Sequence, residues 1–297
     1  MEITVDNAVP VGRTRARSVL STALTLLTTL VLLAHPRDAV AGPPFQTDDP
    51  EPVDLGHYEF YIFSGSDGTP VETDPVGPAF EFNWGALPNT QLHIVASLGA
   101  IFPSNDPKFA PSGVGPSAYG LLDTEIGVKY RFIQQTHYMP EVGIFPMVEL
   151  PTGSYARGLG VGKSWYKLPI WIQKDFGPWT TYGGGGRQIV PQVDYQSFWY
   201  EGWLVQRDIG DKWTLGGELF HHGAEGLATA QTNAATMLDL GGYYYFRKPA
   251  FQLLFAVGHT VVGQPEVYAY LGLYWTWGDT TTTAWSQAGR MAMSETP

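Results

Sequence analysis

The sequence predicts an all-β, antiparallel transmembrane β-barrel of about twelve strands behind a cleaved N-terminal signal peptide. Three observations carry that prediction. The chain opens on an export signal yet contains no cysteine. Many segments alternate apolar and polar side chains with period two, the pattern of strands whose two faces meet different surroundings. The connections between those segments alternate between compact and long, with aromatics gathered at the compact ones.

The export signal comes first. Arg13, Arg15 and Arg17 precede an apolar run at 18–34, and Ala39-Val40-Ala41 supplies a small-residue cleavage pattern, so residues 1–41 read as a secretory signal peptide cut before Gly42. The run is long for such a segment, which leaves an uncleaved membrane anchor as the alternative. Without cysteine the exported chain has no disulfide and no lipidated cysteine, so packing and hydrogen bonds must stabilise it. Cleavage removes four Arg and three acidic residues and takes the net charge from -11 to -12. A chain this acidic repels phosphate backbones, which sets nucleic acid aside as a partner. Beyond the signal no apolar run has the length of a membrane-spanning helix. Yet 44% of residues are hydrophobic and only 15% charged, with 35 Gly, 16 Tyr and 10 Trp, a composition suited to strands that face lipid.

The strands follow in order at 55–63, 76–84, 90–101, 119–133, 140–150, 163–176, 178–190, 196–208, 212–222, 235–247, 250–260 and 266–277. TEIGVKYRF shows the alternation best: Glu125, Gly127, Lys129 and Arg131 share one face, and Ile126, Val128, Tyr130 and Phe132 the other. YKLPIWIQ and FEFNW repeat it. The compact connections GALPN, QQTHYM, Gly177, DIGD and KP alternate with long or irregular ones at 64–75, 102–118, 151–162, 191–195, 223–234 and 261–265. Outer-membrane barrels have short periplasmic turns and longer external loops. Trp84, Tyr138, Phe176, Trp179, Trp213, Phe246 and Trp277 all fall at or beside the compact ends, where an interfacial aromatic belt belongs. A secreted β-sandwich also alternates inward and outward residues, but requires neither the alternation of turn lengths nor the aromatic rim. The domain reading is therefore signal peptide 1–41, periplasmic leader 42–54, barrel 55–277 and flexible C-terminal tail 278–297.

An ionised side chain facing lipid at the bilayer midplane costs about 2–4 kcal/mol, so charged strand residues are expected in the lumen. Glu59, Glu81, Glu125, Glu149 and Lys167 form one part of that expected charge ladder, and Lys129, Arg131, Arg187, Glu218 and Asp239 the other. Mixed signs suggest salt-bridged struts rather than a single-sign filter. Trp165, Trp171, Tyr268, Tyr270 and Tyr274 are the expected aromatic wall, able to stack a solute or simply to fill space. In TYGGGGRQIV the glycines do not open a helix and no Lys-Ser or Lys-Thr pair follows, which argues against a phosphate loop. With Arg187 placed inward, Gly183 and Gly185 share its face as a thin patch of wall, either for a permeant or for curvature and packing.

The chain resembles the outer-membrane family named for the meta-pathway of phenol degradation. The resemblance rests on GPPFQTDDPEPVDLGHYEFY, GVKYRF, VGIFPMVELPTGS, WYKLPIWIQKDFGPWTTYGGGG and GWLVQRD with LGGELFHH, and covers nearly all of the chain after the signal. It implies a barrel with a transport role in the bacterial outer membrane, and supplies no set of functional residues. The twenty residues 278–297 depart from the usual ending of such barrels at the aromatic of the last strand.

Other chemistry finds little footing. His93 and Ser97 lie on one inward face with Gln91, whereas a barrel phospholipase needs its serine and histidine facing lipid, so no enzyme and no cofactor are expected. Adjacent His221 and His222 point to opposite faces and do not form a metal pair. The acidic segment 47–54 lacks the ligand spacing of a calcium loop and reads as a solvated leader. The expected function is an outer-membrane channel or passive transporter for small apolar or aromatic molecules, with lipid, permeant and the barrel-insertion machinery as partners. The alternative is a structural or assembly barrel with a plugged lumen and binding loops.

Overall fold

The computed structural model describes residues 43–278 except 107, 109–115 and 229–231. The signal peptide expected at 1–41 and the flexible tail expected at 278–297 lie outside them, save for Gly278.

The strands are β1 (His57–Gly68), β2 (Glu72–Leu87), β3 (Thr90–Pro103), β4 (Ala118–Leu121), β5 (Thr124–Ile133), β6 (Glu141–Ile144), β7 (Met147–Leu150), β8 (Trp165–Phe176), β9 (Trp179–Ile189), β10 (Phe198–Ile209), β11 (Trp213–His222), β12 (Ala235–Arg247), β13 (Phe251–Gly263) and β14 (Val267–Gly278). β4 and β5 both pair with β3, and β6 and β7 both lie between β5 and β8. These two pairs are therefore interrupted staves, and the wall is a closed antiparallel barrel of twelve. The second interruption falls at Phe145-Pro146, where proline has no N–H to give the ladder; the Pro146 carbonyl still accepts from the Val128 N–H at 3.0 Å.

Closure is made by β1 and β14, in register from His57↔Gly278 to Gly68↔Val267. With an even number of staves, both ends of the barrel wall return to the end that carries the compact turns. One connection is shorter than its sequence suggests. β1 and β2 extend outward until only residues 69–71 separate them, so the expected long loop at 64–75 is the tip of a hairpin held by the Thr69 N–H on the Glu72 carbonyl at 2.8 Å. The seven aromatics expected at the compact ends are all exposed on the outer surface, and Tyr58 stacks between Trp84 and Trp277 at 6.3 and 5.8 Å.

Inside, alternation puts polar and aromatic groups together. Glu81, Asn83, Gln91, His93, Lys129, Glu218 and Asp239 are buried, while Leu92, Ile94, Ile126, Val128 and Ile170 are exposed. The buried polar set is the reverse of a soluble core, and it follows from the solvent: apolar side chains turn to lipid, and what remains must satisfy itself in the lumen. Leu271, 57% exposed midway along β14, belongs to the lipid face. Leu271→Arg is expected to destabilise the barrel by about 2–4 kcal/mol, read as a lower urea midpoint with the unboiled gel band as folded-state signal; an unchanged midpoint would contradict that orientation.

Candidate functional site

The lumen holds a cavity of about 980 Å³, reached by His57 and Thr276 at the turn end and by Thr69 and Glu225 at the loop end. Two polar systems organise it. The first is a belt across the wall. Lys167 Nζ of β8 bridges Glu125 Oε2 of β5 at 2.6 Å and Glu149 Oε1 of β7 at 3.3 Å. Glu125 in turn meets His93 Nε2 of β3 at 2.9 Å, and His93 Nδ1 meets Asn83 Oδ1 of β2 at 2.7 Å. Asn83 Nδ2 donates to Glu81 at 2.8 Å and to Glu59 of β1 at 3.3 Å, and Tyr274 OH of β14 closes on Glu59 at 2.8 Å. Seven consecutive segments are thus tied by groups that the midplane cost sends inward.

The second system is occupied by the chain itself. Residues 43–54, expected as a solvated leader, run inside the lumen: Phe45 is buried in an aromatic cluster with Tyr61, Tyr182, Tyr243 and Tyr270, and Thr47 and Asp49 are fully buried. Lys129 Nζ holds Asp48 at 2.9 Å and Asp49 at 3.3 Å. Arg131 binds Glu141 at 2.9 Å and lies 3.8 Å from Glu51. The two oxygens of Glu218 accept the N–H groups of Gln46 and Thr47 at 2.7 and 2.9 Å, and Asp239 accepts Gln46 Nε2 at 2.9 Å. Gln91 accepts the Val53 N–H at 2.9 Å. The acidic residues that suggested solvation are what the lumen cations need: an unpaired lysine or carboxylate buried there would cost several kcal/mol. The wall is shaped for the segment too. A Cβ on Gly85 would strike the Asp54 backbone, one on Gly143 the Pro50 carbonyl, and one on Gly202 the Thr47 side chain.

Four charged groups of the expected ladder, Lys129, Arg131, Glu218 and Asp239, therefore seat the N-terminal strap, and Glu59, Glu81, Glu125, Glu149 and Lys167 form the belt. Arg187 belongs to neither. Tyr182 is fully buried in the lumen, which turns Gly184, Gly186 and Gln188 inward and Thr181, Gly183, Gly185 and Arg187 outward. Trp203, exposed on the outer wall, donates its Nε1–H to Thr181 at 2.8 Å and covers the place where a Gly183 side chain would stand. The thin patch exists one residue out of phase: Gly184 lies opposite Trp171, which fills the space over it. The midplane penalty does not apply to Arg187, two residues from the end of β9, where the cost falls to about 0–1 kcal/mol. Its guanidinium lies 5.3 Å from the centre of the exposed Trp199 ring, an interfacial cation–π pair.

The five expected aromatics do face the cavity. Tyr268 OH donates to the Pro44 carbonyl at 2.8 Å, so it too holds the strap. Residues not singled out in the sequence complete the lining: Phe145 with Lys129 Nζ 4.9 Å from its ring centre, and Phe198, Tyr200 and Phe220. For Phe220 the available signal was its parity with Glu218; for Phe198 and Tyr200 the exposed Glu201 and Arg207 of the same strand pointed the other way. At the loop end, burial holds the Glu225 carboxyl above its ordinary range, with His222 opposing.

No family model matches this chain, and no curated protein matches it. Among solved structures, an outer-membrane channel from Pseudomonas putida F1 is similar over 80% of this chain and 100% of that one, with a TM-score of 0.64 and 14% identity. The chain has the fold of an outer-membrane β-barrel. The NanC porin covers 73% of this chain and 98% of its own, and the KdgM porin 73% and 99%, with TM-scores of 0.49 and 0.47, each at 8% identity. At 14% identity, what the Pseudomonas putida channel shares with this chain is the fold.

Lys129 is the central fastening of the strap. Lys129→Ala leaves Asp48 and Asp49 without their cation and is expected to weaken seating by about 3 kcal/mol or more, exposing residues 43–54 to limited proteolysis in detergent while the barrel stays heat-modifiable. Equal protection of the segment in variant and wild type would mean that the pair does not hold it.

Proposed function

We propose that the chain is a passive outer-membrane channel for small molecules, with a preference for neutral or cationic solutes that carry an apolar or aromatic surface. The observation that carries this reading is the cavity: with the strap seated, lumen space still reaches residues at both ends of the barrel. A structural barrel with a plugged lumen has no use for such a passage. The resemblance to the phenol meta-pathway family supports the same reading, and the closed barrel supports the further proposal that barrel-insertion machinery places it.

The charge preference comes from the lining. Eleven carboxylates and two lysines face the cavity, so the potential along it is negative even after the pairs with Lys129 and Lys167 are counted. The aromatic preference comes from groups that combine a ring with a polar tip. Trp165, Trp171, Tyr200 and Tyr270 line the cavity, and their Nε1 or OH atoms, enclosed in the wall, have no hydrogen-bond partner among the described residues. Each offers part of a flat ring face, a surface against which an aromatic solute can stack.

Reversal potentials in planar bilayers under a salt gradient test the reading. Cation preference is expected for the wild type, a stronger one for Lys167→Ala, and no change for Arg187→Ala, which removes the same charge from the outer wall. Absence of conductance and of solute uptake by liposomes would sink the channel in favour of the structural barrel. Deletion of residues 43–54 is expected to raise single-channel conductance at least about twofold, because the strap occupies lumen cross-section; an unchanged value would remove the strap from the conduction path.

A further inference from the structure

The fold separates the two adjacent histidines at the end of β11. His221 faces outward and meets Thr236 Oγ1 at 2.9 Å, while His222 is buried on the lumen side. There His222 finds two carboxylates from different connections: Glu225, three residues on in the loop after β11, and Glu266 in the turn before β14. One ligand atom from each of the three lies within 4.8 Å of the other two.

His222 is held at both ring nitrogens. Nδ1 lies 2.9 Å from the Gly223 carbonyl and Nε2 lies 2.8 Å from Glu266 Oε2. Both partners only accept. A neutral imidazole has a single N–H, so the two acceptors are served either by an imidazolium that donates from both nitrogens or by Nδ1–H with a bound cation between Nε2 and the carboxylate. A ring N–H anchored on a backbone carbonyl, with the other nitrogen aimed away, is the usual support of a metal-binding histidine. The surroundings hold the other donors in place. Gln264 Nε2 donates to Glu266 Oε1 at 3.3 Å, the Glu266 N–H donates to Thr260 Oγ1 at 2.8 Å, and the Gly226 carbonyl beside Glu225 accepts the Gln196 N–H at 2.9 Å.

We propose that His222, Glu225 and Glu266 form a divalent-cation site at the loop-end mouth of the lumen, suited to an ion of the zinc class. One imidazole nitrogen with two carboxylate oxygens is a donor set that such borderline ions take. Opening the Nε2 to Oε2 contact to the roughly 3.4 Å that two ligands of one tetrahedral zinc require needs only small side-chain rotations. Because all three residues line the cavity, the ion keeps an open position toward the bore. Binding does not depend on the channel reading, but in a conducting barrel the ion would place two positive charges where cations enter.

The test is calorimetric titration of zinc chloride into the folded barrel in detergent, purified without a histidine tag and freed of metal with a chelator. One saturable site per barrel is expected, with calcium giving no comparable binding. Glu225→Gln and His222→Ala should each weaken zinc at least tenfold while the heat-modifiable band is retained; if His222→Ala fails to fold, the near-isosteric Glu225→Gln carries the decision. No saturable site in the wild type, or equal affinity in the folded variants, overturns the proposal and leaves an ordinary imidazolium–carboxylate pair.

Discussion

Hydrocarbon offers no partner for a backbone amide, and the rest of this molecule depends on that constraint. Pairing of β1 with β14 along twelve positions removes the two edges that an open sheet would present. Closure then fixes which side of every strand meets lipid, and period-two alternation sends the ionisable groups to the other side. Once enclosed, those groups must neutralise one another. The Lys167 belt and the strap held by Lys129 are two solutions to that single problem, one between wall residues and one between the wall and a piece of chain drawn inside.

The wall was largely legible in the sequence because its information is local. In β5, β8 and β14 each residue declares its face through its neighbours two positions away, and the structure agrees with the faces read there. β9 fails for an identifiable reason. Four glycines carry no side chain to mark a face, so parity hung on Arg187 alone, and a penalty valid at the midplane was applied to a residue near the strand end. Tyr182 was the better guide: with Tyr182 placed inward, Gly184 and Gly186 follow, and Arg187 lands beside Trp199.

The strap was not legible in the same way. Its partners lie far along the chain, Asp49 with Lys129 and Gln46 with Glu218, and nothing periodic links them. Composition suggested solvation because Asp48, Asp49, Glu51 and Asp54 are the residues that water usually keeps. The hidden signal was in the wall, where Gly85, Gly143 and Gly202 occupy inward positions that side chains would otherwise fill. The same distance in sequence hid the loop-end cluster, since Glu266 approaches His222 only through the order of β11 to β14 around the barrel.

The strap carries charge as well as bulk, and that couples two properties usually treated apart. Asp48, Glu51 and Asp54 are part of the acidic lining, and Lys129 and Arg131 are covered by it. Withdrawal of the segment would take four carboxylates, Asp49 among them, out of the bore and bare Lys129, while Arg131 would keep Glu141 and the carboxylates of Glu218 and Asp239 would lose their strap donors. The wide state would then be less negative than the narrow one, so the movement that opens the bore would also relax its preference for cations.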